Sequence, residues 1–107
     1  MSERHDRVNS LLLEMAAQFI QVEANPNPLI TVTNIKTSSD YRNSTIYITT
    51  IPEGREEDAL VFLKRRAGEM RYYIMKKSDL KVVPHLQFEV DHGERHRQHI
   101  DDIAREI

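Results

Sequence analysis

The spacing of apolar residues near the start of the chain predicts an amphipathic helix. From about Glu3 to Val22, apolar side chains recur at intervals of three and four residues, which places them on one helical face. They are Val8, Leu11, Leu12, Met15, Ala16, Phe19 and Ile20. The run Asn25-Pro26-Asn27-Pro28 follows. We expect it to end the helix, because proline lacks a backbone N–H and biases the preceding residue towards extended backbone.

Two β-type segments come next. Leu29–Thr37 is rich in β-branched residues, and Ser44–Ile51 places Ile46 and Ile48 on the same face of an extended chain. The polar stretch Ser38–Asn43 between them is typical of a turn. The pattern therefore predicts a β-hairpin.

A second helical stretch is predicted to open at Pro52-Glu53-Gly54 and to close at Ser78-Asp79. Its apolar stripe has steps of three and four residues and consists of Ala59, Leu63, Ala67, Met70 and Ile74. The stripe runs through Gly68, where helix propensity drops. We expect a kink or a short break near Gly68.

The last apolar pattern, from Lys81 to Asp91, is a clean alternation typical of a half-buried strand. It predicts one face formed by Val82, Pro84, Leu86, Phe88 and Val90. Pro84 favours an edge or bulge position. A charged helix is predicted for Glu94–Ile107. The order of elements indicates an α+β fold, a two-layer sandwich of helices on a three-stranded sheet, followed by a helical tail.

Composition narrows the class of protein. The chain has 107 residues, 39% apolar and 30% charged, which fits one soluble globular domain. No apolar run is long enough for a membrane span, and the first residues do not resemble an export signal. Because cysteine is absent, disulfides and thiolate chemistry are excluded. We expect a cytoplasmic monomer.

Charge is distributed unevenly. The 18 residues Lys64–Lys81 contain seven Lys or Arg and two acidic residues, a net +5 in a chain whose total is −2. Such a local excess favours a defined polyphosphate partner over indiscriminate nucleic-acid binding. The candidate RNA-binding residues are Lys64, Arg65, Arg66, Gly68, Arg71, Lys76, Lys77 and Lys81. Of the two tyrosines in this segment, Tyr72 is expected to be exposed and available for base stacking, and Tyr73 to join the core.

Other functions stay open on the residues alone. His92, His96 and His99 suggest a metal site, but their polar context is more typical of a solvated helical face. His85 is expected on the surface. No nucleophile elbow, Walker loop or HExxH motif is present, so we expect no enzyme and no cofactor. A protein-interaction module that docks through its sheet or first helix is the main alternative, and a metal-dependent enzyme is a weaker one.

Four stretches, in order and spacing, resemble the ribosome-binding factor A family. They are Arg7 to Ala16 in the first helix, Thr31–Ile35 with Ser38-Ser39-Asp40-Tyr41 and the Ile46-Tyr47-Ile48 strand, Ala67-Gly68-Glu69-Met70-Arg71, and Val83-Pro84-His85-Leu86-Gln87-Phe88-Glu89-Val90-Asp91. Where the family has Ala-any-Gly at its interhelical kink, this chain has Arg66-Ala67-Gly68.

The resemblance implies a type II KH-like domain over residues 3–91 and a charged tail over residues 92–107. It also implies a non-catalytic factor that binds 16S ribosomal RNA on the immature small (30S) subunit and assists its maturation near the 5′ end. No DNA, membrane or cofactor is implied.

Overall fold

Six elements follow one another in the computed structural model, which describes residues 3–24 and 28–93. They are α1 (Glu3–Glu23), β1 (Leu29–Thr37), β2 (Asn43–Ile51), α2 (Glu56–Arg65), α3 (Ala67–Lys77) and β3 (His85–Val90). This order confirms the predicted α+β fold. The predicted tail helix and most of the Asn-Pro run at 25–28 lie outside the described residues.

The sheet is mixed and has the order β1-β2-β3. β1 and β2 form the predicted antiparallel hairpin, with Leu29 opposite Ile51, and the register shifts between Val32 and Asn34. β3 lies parallel to β2, with His85 opposite Asn43. A parallel neighbour requires a crossover, which α2 and α3 provide.

The helices cover one face of this sheet and enclose the core. α1 packs on β1 and α3, whereas α2 packs on β2 and β3. Fully buried side chains come from every layer, among them Leu12, Ile46, Leu63 and Met70. The predicted stripe is buried at Ala59, Leu63, Met70 and Ile74 and half-buried at Ala67. The helical periodicity of the sequence was therefore a true burial signal.

The beginning of the third strand was predicted wrongly. β3 starts at His85, and the alternation expected from Lys81 fails because Val82 is 71% exposed while Val83 is buried. Pro84 has no N–H to donate to a sheet ladder. The carbonyl of Val83 instead accepts hydrogen bonds from the Arg71 side chain. Residues 81–84 therefore form a loop that is pinned to α3.

The long helical stretch divides into α2 and α3 at Arg66, two residues before Gly68. Arg66 has φ −102° and ψ 7°, and its N–H is shared between the carbonyls of Phe62 and Leu63 at 3.1 Å each. This sharing tightens the last turn of α2. At the other end, α2 begins at Glu56, because Gly54 has φ +92° and does not continue a right-handed helix.

Candidate nucleic-acid interface

The junction between α2 and α3 exposes backbone donors. The N–H of Met70 donates to the carbonyl of Arg66 at 2.9 Å, so the N–H groups of Ala67, Gly68 and Glu69 precede the first hydrogen bond of α3. Gly68 is exposed, and a Cβ added there would meet no atom within 4 Å. A phosphate oxygen can thus approach the backbone closely at Gly68.

Two cations adjoin this open backbone. Lys64 and Arg65 form the last turn of α2, and both are exposed. Their charges also complement the partial negative charge at the end of α2. The sequence thus supplies positive charge on one side of the junction and free N–H donors on the other.

Arg66 makes internal contacts instead of facing solvent. Its guanidinium forms ion pairs with Glu23 at the end of α1 and with Glu69 in the first turn of α3. The same group lies 5.7 Å from the ring centroid of Phe19 and 5.4 Å from that of Phe62. The hydrogen bond to Glu69 is the main reason that the pKa of Arg66 is raised. Arg66 therefore fastens the junction to α1, and two carboxylates already offset its charge.

Arg71 has a structural contact as well. Its Nε and Nη2 donate to the carbonyl oxygen of Val83 at 3.0 and 2.8 Å. These two bonds tie α3 to the loop that leads into β3. The Arg71 side chain is thereby held along the surface and directed towards the loop.

The remaining predicted cations lie towards the other end of α3 or beyond it. Lys76 lies 5.5 Å from the ring of Tyr72, and Lys77 lies 5.9 Å from the ring of Tyr73. Because each helical residue turns by about 100°, Arg71, Lys76 and Lys77 face three directions. Lys81 lies in the loop before β3.

The eight predicted residues consequently do not form one compact face. Lys64, Arg65 and Gly68 lie together at the junction. Lys76, Lys77 and Lys81 are separated from them by the length of α3, about 15 Å. Arg66 and Arg71 hold elements together between the two groups.

The two tyrosines occupy the positions predicted for them. Tyr72 is 56% exposed, whereas Tyr73 is half-buried and packs edge-on against Phe19 with the ring centroids 5.6 Å apart. The hydroxyl of Tyr73 donates to Gln18 Oε1 at 3.3 Å. Base stacking by Tyr72 stays a prediction. His85 is exposed, as expected.

Sequence reasoning missed two arginines. Arg4 and Arg42 line a cleft together with Lys81, although the three residues are far apart along the chain. No local pattern marks them, because only the packing of the N-terminal part of α1 beside the hairpin turn brings them together.

The described residues offer neither a metal site nor a membrane-spanning helix. Within residues 3–24 and 28–93, no three His, Asp or Glu side chains are grouped so that they could hold a metal ion. His92 is exposed, while His96 and His99 lie outside the described residues. None of the three described helices has the length and apolar character needed to cross a bilayer.

Comparison with known proteins gives a consistent result. The sequence profile of the family described as ribosome-binding factor A matches residues 4–104. Ribosome-binding factor A of Chlamydia pneumoniae is 32% identical over 99% of this chain and 92% of its own length. The protein of that name from Opitutus terrae is 30% identical over 100% of this chain and 89% of its own length.

Solved structures share the fold. The crystal structure of ribosome-binding factor A from Thermus thermophilus superposes with a TM-score of 0.72 at 24% identity, covering 80% of this chain and 94% of its own. A homology model of the Thermus thermophilus factor, fitted into a cryo-EM map of its 30S complex, gives a TM-score of 0.68 at 23% identity, covering 78% of this chain and 90% of its own. With a family profile that spans nearly all of its residues, this chain belongs to the ribosome-binding factor A family.

Proposed function

We propose that this protein is a ribosome-biogenesis factor that binds 16S ribosomal RNA on the immature small subunit and assists its maturation, including processing of the RNA 5′ end. The family match over residues 4–104 carries this proposal. Further support comes from a structural relative whose coordinates were fitted into a map of a 30S complex.

The junction between α2 and α3 is the proposed RNA contact. A phosphate would accept hydrogen bonds from the N–H groups at Gly68, while Lys64 and Arg65 neutralise the neighbouring backbone. Glu69 lies in the same turn and repels phosphate, so the contact is weaker than its donors alone suggest. A small rigid domain bound in this way favours one RNA conformation and shifts its population.

Sedimentation tests the proposal. Tagged protein in a cell extract is expected to travel with free small subunits. Lys64→Glu is expected to lower the bound fraction several-fold, because it replaces an attraction to phosphate by a repulsion. Lys36→Glu makes the same change of charge on the other face of the sheet. It should bind like the wild type, since Lys36 follows the buried Ile35 on β1 and faces away from the helices.

Two outcomes contradict the proposal. The wild-type protein could be missing from the small-subunit fractions altogether. Alternatively, Lys64→Glu and Lys36→Glu could bind equally well while both remain folded by circular dichroism, which would remove the junction as the contact.

The processing role needs its own assay. Depletion of the protein is expected to raise the fraction of small-subunit RNA with an unprocessed 5′ end, measured by primer extension. Resupply of the wild type should restore the mature end. An unchanged 5′ end after depletion would restrict the function to binding.

A protein-interaction module is the second candidate. An apolar groove lies between α1 and β1, which is an edge strand of the described sheet, and it is lined in part by Ile20, Ala24, Leu29 and Val32. Salt distinguishes the two functions. RNA affinity should fall steeply with ionic strength, whereas an apolar protein contact should change little.

A further inference from the structure

The cleft that Arg4, Arg42 and Lys81 line lies at the end of the molecule away from the α2–α3 junction. It has a volume of about 630 Å³ and is formed by the first turns of α1, the turn between β1 and β2, and the loop between α3 and β3. Three segments that are far apart in the sequence thus form the cleft, whereas the junction is one continuous segment, the end of α2 and the start of α3. None of the contacts proposed above for the junction involves it.

Cations from all three segments line the cleft. Arg4 comes from α1, Arg42 from the hairpin turn and Lys81 from the loop before β3, and all three are exposed. Asp40 and Asp79 also line it, which leaves a net charge of +1 in a chain whose total is −2. The cleft therefore carries a small net positive charge, whereas the chain as a whole carries a small net negative charge.

Asp40 stabilises the turn between β1 and β2. Its carboxylate accepts hydrogen bonds from the Ser38 hydroxyl at 2.6 Å and from the Arg42 N–H at 3.1 Å. The Arg42 guanidinium lies 3.8 Å from the same carboxylate. Asp40 therefore orders the turn that carries Arg42, and the side chain of Arg42 remains 82% exposed.

The walls of the cleft are apolar. Val8, Tyr41, Leu80, Val82 and Pro84 contribute them, and Val82 is 71% exposed. The two hydrogen bonds from Arg71 to Val83 fix the loop in which Val82 lies. An apolar wall rimmed by cations suits a nucleotide, because a base needs a surface to lie on and a phosphate needs positive charge.

We infer that this cleft is a second RNA contact, which binds an unpaired nucleotide with its base against Val82 and its phosphates at Arg42 and Lys81. The inference rests on the proposed function. The cleft and the junction lie at opposite ends of α3, about 15 Å apart. One RNA can therefore engage both, and the protein then fixes the direction of the strand between them.

The test uses the full-length protein with two probes, immature small subunits and protein-free 16S RNA, in salt titrations. Lys81→Gln and Arg42→Gln should each weaken binding several-fold and reduce the log–log salt slope by about one. Val82→Ser should weaken binding about fivefold without changing the slope, because it removes apolar contact but no charge. Lys36→Gln is the matched control and should behave like the wild type.

The outcomes separate this inference from the proposed function. If Lys64→Glu weakens binding but all three cleft variants bind normally, the inference fails and the proposed function stands. If the wild type binds neither probe, both fail. If the cleft variants lose affinity for subunits but not for protein-free RNA, the cleft contacts a protein and the inference is overturned. Thermal unfolding of each variant confirms that it is folded.

Discussion

Replacing Arg71 by alanine should destabilise the fold rather than remove an RNA ligand. The side chain donates two hydrogen bonds, of 3.0 and 2.8 Å, to the carbonyl of the buried residue Val83. Hydrogen bonds from a charged group contribute about 1.5–3 kcal/mol each when buried. Arg71 is exposed, so we expect the pair together to contribute about 1–2 kcal/mol. Alanine is the better helix former, which means that any loss comes from the loop contact.

The assay is urea denaturation combined with a salt titration of subunit binding. The free energy of unfolding of Arg71→Ala should fall by about 1–2 kcal/mol, which in a domain of this size lowers the melting temperature by about 5–15 °C. Its salt slope should equal that of the wild type. Lys76→Ala, in the same helix, is the control and should unfold close to the wild type. Unchanged stability with a slope reduced by about one would refute the structural role and make Arg71 a phosphate ligand.

Three further variants test the junction and the turn. Gly68→Ala should raise stability by about 0.4–1 kcal/mol, since the position is helical and open, yet lower subunit affinity in sedimentation; normal affinity would mean that RNA does not approach there. Glu69→Gln should lower the melting temperature by weakening the Arg66 pair and should tighten RNA binding in a filter assay; weaker binding would contradict the repulsion assigned to Glu69. Hydrogen bonds from Ser38 and Arg42 lower the pKa of Asp40 below its ordinary value of 3.8. The ionised carboxylate therefore stabilises the fold above pH 3.8, and this contribution is lost as the pH falls through the folded-state pKa. Asp40→Asn should therefore unfold at lower urea concentration than the wild type at pH 7, and the difference should close in acid; a constant difference would contradict the role of the charge.

Periodicity identified most of the fold because burial produced it. The apolar stripe from Ala59 to Ile74 and the placement of Ile46 and Ile48 on one face of Ser44–Ile51 reflect side chains that meet the core. The β-branched composition of Leu29–Thr37 likewise predicted a strand, which is confirmed as β1. The alternation of apolar residues predicted a strand wrongly for residues 81–84, before His85. There, the Arg71 side chain of α3 donates two hydrogen bonds to the carbonyl of Val83. A contact with a residue of another element leaves no periodic pattern in the local sequence.

The predicted break near Gly68 is confirmed, but its exact position at Arg66 could not be predicted from the sequence. The low helix propensity of glycine disfavours a helix at Gly68 by about 1 kcal/mol. Arg66, at the junction, instead forms ion pairs with two carboxylates and contacts two aromatic rings. Tertiary contacts therefore placed the break at Arg66. The number of charges along Lys64–Lys81 likewise contains no information about the directions in which those side chains leave α3. It also gives no sign that Arg4 and Arg42 line the same cleft as Lys81.

Amide hydrogen exchange, read by mass spectrometry on the free and the subunit-bound protein, tests the central claim most directly. The claim is that backbone N–H groups at the α2–α3 junction meet RNA phosphate. Peptides that cover residues 64–71 should exchange more slowly in the complex with immature small subunits. Unchanged exchange there, with slowing confined to the β1 edge at Leu29–Val32, would contradict the account and favour a protein partner.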